Sequence, residues 1–354
     1  MDVKLRKTPP TSTVGRGKAI TLTTEPDLDS WSDGQVTLGL GDSLSHYRDW
    51  PAPDVIVSDG AYGLLGFEGD TSDHLGIGEW YEPHIRVWSE RATPRTTLWF
   101  WNSEIGWAVT HPVLERYGWR YVNANVWNKG MAHIAGNINT HKIRRFPVVT
   151  ELCVQYVLEP EIAGLRLKRW LLGEWKRSGL PLAKANEACG VGDAAVRKYL
   201  DQGHLWYFPP AEMFVKMAEY ANHHGDPTGR PYFSRDGNRA MNHDEWSAMR
   251  SLFHCPVGVT NVWDRNPLSG AERVRIPKLS GRAVHLNQKP LDLMRMIIAA
   301  SSETGGIVWE PFGGLFSASL AAKQLGRRAF AAETDRTYFQ LGISRFRGPQ
   351  LELF

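Results

Sequence analysis

The sequence predicts an α/β protein built on a largely parallel sheet and interrupted by a mainly helical insertion. Three observations carry this. Short β-branched or aromatic runs alternate with helix-length segments in both outer parts of the chain, the pattern of strand–helix–strand crossovers. Strand signals fade over residues 162–202, and regular alternation returns only at 287. Two strand-like runs stop at an acid followed by small residues, at Asp59 and Glu310, where an open α/β sheet holds its ligands.

In chain order, residues 1–33 are rich in Thr, Pro, Gly and Lys and read as a flexible arm. Residues 34–159 form the first α/β half. A short strand-like run there ends in Gly41-Asp42, and Asp54–Ser58 (DVIVS) is a buried strand bounded by turn residues. Residues 64–80 read as a loop, 80–92 as a helix and 96–101 (TTLWFW) as a second buried strand; Pro112 is expected in the first turn of another helix. Residues 119–127 and 148–158 read as strands around a polar, basic loop at 128–146. The insertion spans 160–284, helical to 202 and loop-rich from 203. The second half, 285–354, gives helix 291–301, strand 306–309, helix 317–325, strand 328–333 and helix 336–345.

Bulk properties exclude more than they select. With 354 residues, 42% hydrophobic and 22% charged, the chain can bury a sizeable core. A formal charge of +3 permits nucleic-acid binding without demanding it. Cys153, Cys189 and Cys255 match no zinc spacing, and the histidines form no ligand pattern, so no metal is assigned. The odd cysteine count and the lack of a signal peptide fit a reducing, cytoplasmic setting. No apolar run approaches the roughly 18 to 20 residues of a membrane span, so no membrane partner is expected. No phosphate-binding Gly-Lys-Ser/Thr loop is found, and the chain leaves no room for a restriction nuclease domain with its acid–x–Lys core.

The two acid-terminated strands suggest one chemistry. An amino group on a planar base is a poor nucleophile because its lone pair is delocalised. Asp59 can accept one of its N–H bonds and the Gly60 carbonyl the other, favouring a more tetrahedral nitrogen. Beyond Ala61, Tyr62 can stack on a base extruded from a duplex, worth about 1–3 kcal/mol. On these residues alone, a plain turn with a packing tyrosine explains the pattern as well. At the second strand, Glu310-Pro311-Phe312-Gly313-Gly314 precedes a helix whose free N–H groups could hold a carboxylate. Glu333 follows Gly314 at close to the ~20-residue spacing of an acid that bonds ribose hydroxyls.

In this order the pieces resemble the amino-group DNA methyltransferases in their permuted β arrangement, of the phage and restriction-modification subgroup. Asp59-Gly60-Ala61-Tyr62 stands where that family has Asp-Pro-Pro-Tyr; Gly41-Asp42 resembles its adenine-contacting Gly-Asp. Val126-Trp127-Asn128-Lys129 looks like its Trp-Asn/Lys strand end, Asn287-Gln288-Lys289-Pro290-Leu291 its Gln-Lys-Pro segment, and Glu310–Gly314 its Asp-Pro-Phe-x-Gly-x-Gly loop. The resemblance covers about residues 35–158 and 285–346. It implies a Rossmann-like S-adenosylmethionine-dependent methyltransferase fold, mostly parallel with one antiparallel strand. It implies S-adenosylmethionine as cofactor, held by Asp42, Ser58, Lys289, Pro290, Glu310, Pro311, Phe312, Gly313, Gly314 and Glu333, with Asp59 to Tyr62 catalytic. Double-stranded DNA is the implied partner; a cognate restriction endonuclease and a dimer are compatible with it. The sequence departs at Gly60-Ala61, which makes the catalytic loop less rigid, and at Phe316, whose ring must point away from the ligand or reshape the pocket.

Within the insertion, residues 182–189, Gly190-Val191-Gly192 and a helix from an Asp193 N-cap to Leu200 have the proportions of a helix-turn-helix, or of a plain helical hairpin. Arg197 and Lys198 are candidate DNA contacts, as are Lys142 and Arg144 in the basic loop. No cysteine sits in a Pro-Cys setting, which argues against ring-carbon methylation. Asp in the first catalytic position leans toward N6 of adenine, while Ser there leans toward N4 of cytosine. Two other readings stand beside this one: RNA methylation, and a catalytically degenerate sequence-specific DNA-binding protein.

Overall fold

The computed structural model describes residues 28–63, 74–131, 144–274 and 288–347. Strands β1 (Ser30–Ser32) and β2 (Val36–Leu40) precede a single helical turn, α1 (Ser43–His46). Then come β3 (Val55–Ser58), α2 (Ile77–Arg91), β4 (Thr97–Asn102), α3 (Glu104–Arg116), β5 (Trp119–Asn128) and β6 (Thr150–Leu158). A small hairpin, β7 (Glu161–Ile162) and β8 (Leu165–Arg166), leads to helices α4 (Leu167–Arg177), α5 (Lys184–Cys189), α6 (Ala211–His224) and α7 (His243–Ser247). Strand β9 (Val262–Asp264) is followed by α8 (Leu291–Ser301), β10 (Ile307–Glu310), α9 (Ser317–Gln324), β11 (Arg328–Glu333) and α10 (Arg336–Arg347).

Nine strands form one sheet in the order β1-β2-β11-β10-β3-β4-β6-β5-β9. From β2 to β4 all neighbours are parallel. Strand β6 runs against both β4 and β5, and is the antiparallel strand the resemblance implies. Edge strand β1 is a second antiparallel strand, inside residues expected to be an arm.

The central strands are buried on both faces, which is why they are apolar without a polar alternation. Successive side chains still serve opposite cores. Val55, Val57, Trp99 and Trp101 pack with α8, α9 and α10 through Leu293, Ile297, Ala318 and Phe339. Ile56, Leu98 and Phe100 pack with α2 and α3 through Tyr81, Ile85, Trp88 and Leu114. Most of the tryptophans are therefore core residues; Trp88, Trp101, Trp119, Trp175, Trp246 and Trp309 are among the largest fully buried side chains.

Three local expectations change. Pro112 lies inside α3, because Ser103 starts that helix earlier by accepting the Gly106 N–H at 3.1 Å. Residues 203–274 are loop-rich as expected, but they also carry a long helix and a strand that were not foreseen. Phe214, Met217, Ala218 and Ala221 repeat at helical spacing and bury one face of the 14-residue α6. Strand β9, also in that stretch, pairs in parallel with β5 at the sheet edge. Finally, Asp193 caps no helix: residues 195–199 form one π-helical turn after Ala194, and the left-handed Gly190 ends α5. The insertion has its own core of Trp170, Trp175, Phe214, Phe233 and Trp246. Among the described residues no helix is long and apolar enough to cross a membrane.

Candidate active site

Because β2, β11, β10 and β3 are adjacent and parallel, their C-terminal ends line one edge of the sheet. That edge collects Asp42 after β2, Glu333 at the end of β11, the 310–314 segment of β10 and Asp59 after β3. Backbone bonds fix the spacing: Gly41 N–H to the Glu333 carbonyl and Gly313 N–H to the Ala332 carbonyl, both 2.8 Å.

At Asp59 a compact charged cluster forms. The Lys289 ammonium, 4% exposed, lies 2.7 Å from Asp59 Oδ1 and 2.9 Å from Glu151 Oε1. Lys129 pairs with the other Glu151 oxygen at 2.8 Å. The Tyr62 hydroxyl is shared between Asp59 Oδ1 at 2.8 Å and Glu151 Oε1 at 2.6 Å, and accepts from Lys289 at 3.1 Å. Lys289 also lies 5.3 and 5.5 Å from the ring centroids of Tyr62 and Trp101. No described group donates to Asp59 Oδ2.

The two carboxylates are not equivalent. Burial raises the pKa of Glu151, but the ammoniums of Lys289 and Lys129 outweigh it and hold it down to about 2. Burial also raises that of Asp59. There Lys289 opposes, Glu151 repels, and the balance stays upward. Burial disfavours the Lys289 charge, yet the two carboxylates together raise its pKa. Glu151 is thus the fixed anion, and Asp59 the carboxylate that more readily takes a proton.

The loop after β3 is held from behind. The Ala61 carbonyl accepts from Asn102 Nδ2 at 2.9 Å and from the Tyr81 hydroxyl at 3.1 Å, and the Ala61 side chain is buried. Phe312 reaches from the β10 loop into a ring of Trp80, Tyr81 and His84, with centroids 5.2, 5.8 and 4.9 Å away. A Cβ on Gly60 would stand 2.6 Å from Phe312 Cδ2 and 2.7 Å from the Tyr81 hydroxyl. The bare backbone at Gly60 therefore follows from this aromatic packing.

On the cofactor side, the Glu333 carboxylate accepts the Gly314 N–H at 2.6 Å and the Asp335 N–H at 2.7 Å. Burial raises its pKa. Asp42 is exposed beside it and caps α1 through the Leu44 N–H at 2.9 Å. Glu310 serves differently from the expectation. It is buried, and accepts the Ala318 N–H at 2.9 Å and the Ser319 N–H and hydroxyl at 2.7 and 2.6 Å. The first N–H groups of α9, expected free for a ligand carboxylate, are filled from inside the protein. Phe316 sits at φ 55° with its ring buried over Gly313 and Gly342, pointing away from the edge. Ser58 is buried within β3, Pro311 is buried in the loop, and Pro290 starts α8. Lys289, expected beside the cofactor, is bonded to Asp59.

Of the candidate DNA contacts, Arg197 and Lys198 are exposed on the π-helical turn, Arg197 lying 3.5 Å from Asp193. Arg144 is exposed far along the chain from them, and Lys142 lies outside the described residues. Sequence reasoning missed Glu151 and gave Lys129 no role. The available signal was a lone acid near the start of a strand, TELCVQYVL, whose later residues are largely buried.

Comparison with known proteins adds three findings. The family model described as DNA methylase (N6_N4_Mtase) matches residues 53–344. The chain is 31% identical over 87 residues to the type II methyltransferase M.HinfI of Haemophilus influenzae, and 39% identical over 85 residues to the DNA adenine methyltransferase YhdJ of Escherichia coli. These alignments take in 25% and 24% of this chain and 24% and 26% of those proteins, so the chain spans about a quarter of the length of each. The solved structure of the cytosine-N4-specific PvuII DNA methyltransferase is similar in fold at TM-score 0.51 and 12% identity, over 90% of this chain and 89% of that one.

Proposed function

We propose, from the premise that the chain belongs to the DNA methylase family, that it transfers a methyl group from S-adenosylmethionine to an exocyclic amino group of a base in double-stranded DNA. The observation that carries this is the position of Asp59: a part-buried carboxylate, with one oxygen to which no described group donates, at the sheet edge shared with Glu333 and Asp42. The residues there fit the cofactor. Glu333 keeps acceptor capacity beyond its backbone donors, and exposed Asp42 offers a second acceptor, which suits ribose hydroxyls and an adenine amino group. When bound, S-adenosylmethionine supplies an activated methyl group on sulfur.

The chain's own task is to orient the amine and remove its proton. Asp59 Oδ2 accepts one amino N–H and the Gly60 carbonyl, to which no described group donates, accepts the other. Asp59 then takes the surplus proton, in keeping with its raised pKa. Tyr62, which completes the motif begun by Asp59, is the proposed stacking residue for the extruded base. Asp in the first catalytic position and the adenine-methylating relative favour N6 of adenine over N4 of cytosine. The insertion, with Arg197 and Lys198 exposed on one turn, is proposed to read the target sequence.

The test is nucleoside mass analysis of mixed-sequence duplex DNA after incubation with isotope-labelled S-adenosylmethionine. Label is expected in N6-methyladenine, and Asp59→Ala should abolish it while cofactor affinity is nearly retained. Label in N4-methylcytosine would keep the mechanism and change the target. Retained turnover in Asp59→Ala would remove Asp59 from its role, and no cofactor binding at all would favour the degenerate DNA-binding reading.

A further inference from the structure

We propose that Glu151 is a positioning residue of the methyl-transfer site, anchored by Lys129 so that it retains Lys289 and Tyr62 when Asp59 turns to the incoming amino group. The proposal rests on the methyltransferase reading above.

The argument starts from shared partners. Asp59 and Glu151 share the same two donors, the Lys289 ammonium and the Tyr62 hydroxyl. An amino group engaging Asp59 weakens the claim of Asp59 on both. Loss of a carboxylate partner by a 4% exposed ammonium costs on the order of several kcal/mol. Glu151 prevents this because its second oxygen is already fixed by Lys129 at 2.8 Å, so the carboxylate cannot follow Lys289 toward Asp59. Strand β6 pairs with β5 at Glu151 opposite Trp127 and at Thr150 opposite Asn128, which brings Lys129 beside Glu151. Transfer would form the nitrogen–methyl bond as the methyl–sulfur bond of the sulfonium breaks, its electron pair staying on sulfur to leave a neutral thioether; the surplus proton of the amino nitrogen moves to Asp59, and Lys289 keeps Glu151 as its counter-anion. Among the described residues, the titratable groups facing Glu151 are Asp59, Tyr62, Lys129, Lys289 and the buried Cys153 thiol.

The experiment uses the full chain, mixed-sequence duplex DNA and labelled S-adenosylmethionine, with single-turnover transfer followed against pH and cofactor affinity measured separately. Glu151→Gln should slow transfer by about 100-fold, the scale of a small misplacement, with cofactor affinity changed less than twofold. Its acid limb should move to lower pH, because Asp59 loses a repelling neighbour and keeps Lys289 to itself. Lys129→Met should move the limb the other way, because Glu151 loses its anchor and titrates nearer the ordinary carboxylate range; this second variant also decides the matter if Glu151→Gln does not fold. Glu151→Asp should restore the wild-type limb. A wild-type rate in Glu151→Gln, or a slower rate with an unmoved limb in both variants, would overturn the positioning role while leaving the methyltransferase reading intact. A wild-type chain that transfers no label to DNA would overturn both.

Discussion

Gly60 shows how one side chain can decide a motif. The resemblance places proline here, yet Phe312 and the Tyr81 hydroxyl fill the space where any Cβ would stand. The aromatic ring set around Phe312 has replaced proline as the stiffening element, with the Ala61 carbonyl pinned by Asn102 and Tyr81. Gly60→Ala should therefore destabilise the fold by about 1–3 kcal/mol through overpacking. Adding Phe312→Leu should recover much of that loss, because the two positions share one space. Denaturant unfolding of the single and double variants checks this; additive effects would mean that Phe312 is not what excludes the side chain.

At the scale of elements, α9 shows what sequence can and cannot disclose. A strand ending in an acid, two glycines and then a helix is visible in the residues, and so is Glu333 at the right distance. That Glu310 folds back onto the Ala318 and Ser319 N–H groups is a tertiary fact, since the motif is equally compatible with a carboxylate facing a ligand. The same limit hid Glu151, whose partners come from β5, the β3 loop and the segment before α8. Burial raises the pKa of Glu310 to about 7, against the bonds from Ser319 and Ala318 and the nearby Arg345 charge. The folded state then binds a proton more tightly than the unfolded chain. Its contribution is fully present below the ordinary carboxylate pKa and is lost as pH rises through about 7. Glu310→Gln, which cannot ionise, should flatten the stability–pH curve between about pH 4.5 and 7. Unfolding free energies measured across that window check it; an unchanged slope would show that Glu310 stays ionised.

For the whole molecule, the order of the pieces along the chain was more legible than the structure of the middle. Apolar strands buried on both faces and their helices announce themselves by composition, so β3, β4, β10 and β11 stand where the residues placed them. The insertion depends on contacts distant in sequence: Trp246 of α7 stacks on Phe214 of α6 with centroids 4.1 Å apart, and its indole N–H reaches the Pro209 carbonyl at 2.9 Å. No local periodicity encodes that. This core and the two sheet cores are separate clusters, so damage to one need not spread to the other. Trp246→Ala should cost the insertion about 3–5 kcal/mol. Hydrogen exchange should then quicken across residues 167–249 while β3, β4, β10 and β11 stay protected. If the insertion reads DNA, duplex affinity should fall sharply in this variant with cofactor affinity nearly unchanged. Equal loss of both would mean that the insertion core supports the cofactor edge as well, and that recognition and catalysis are not carried by separable parts of the chain.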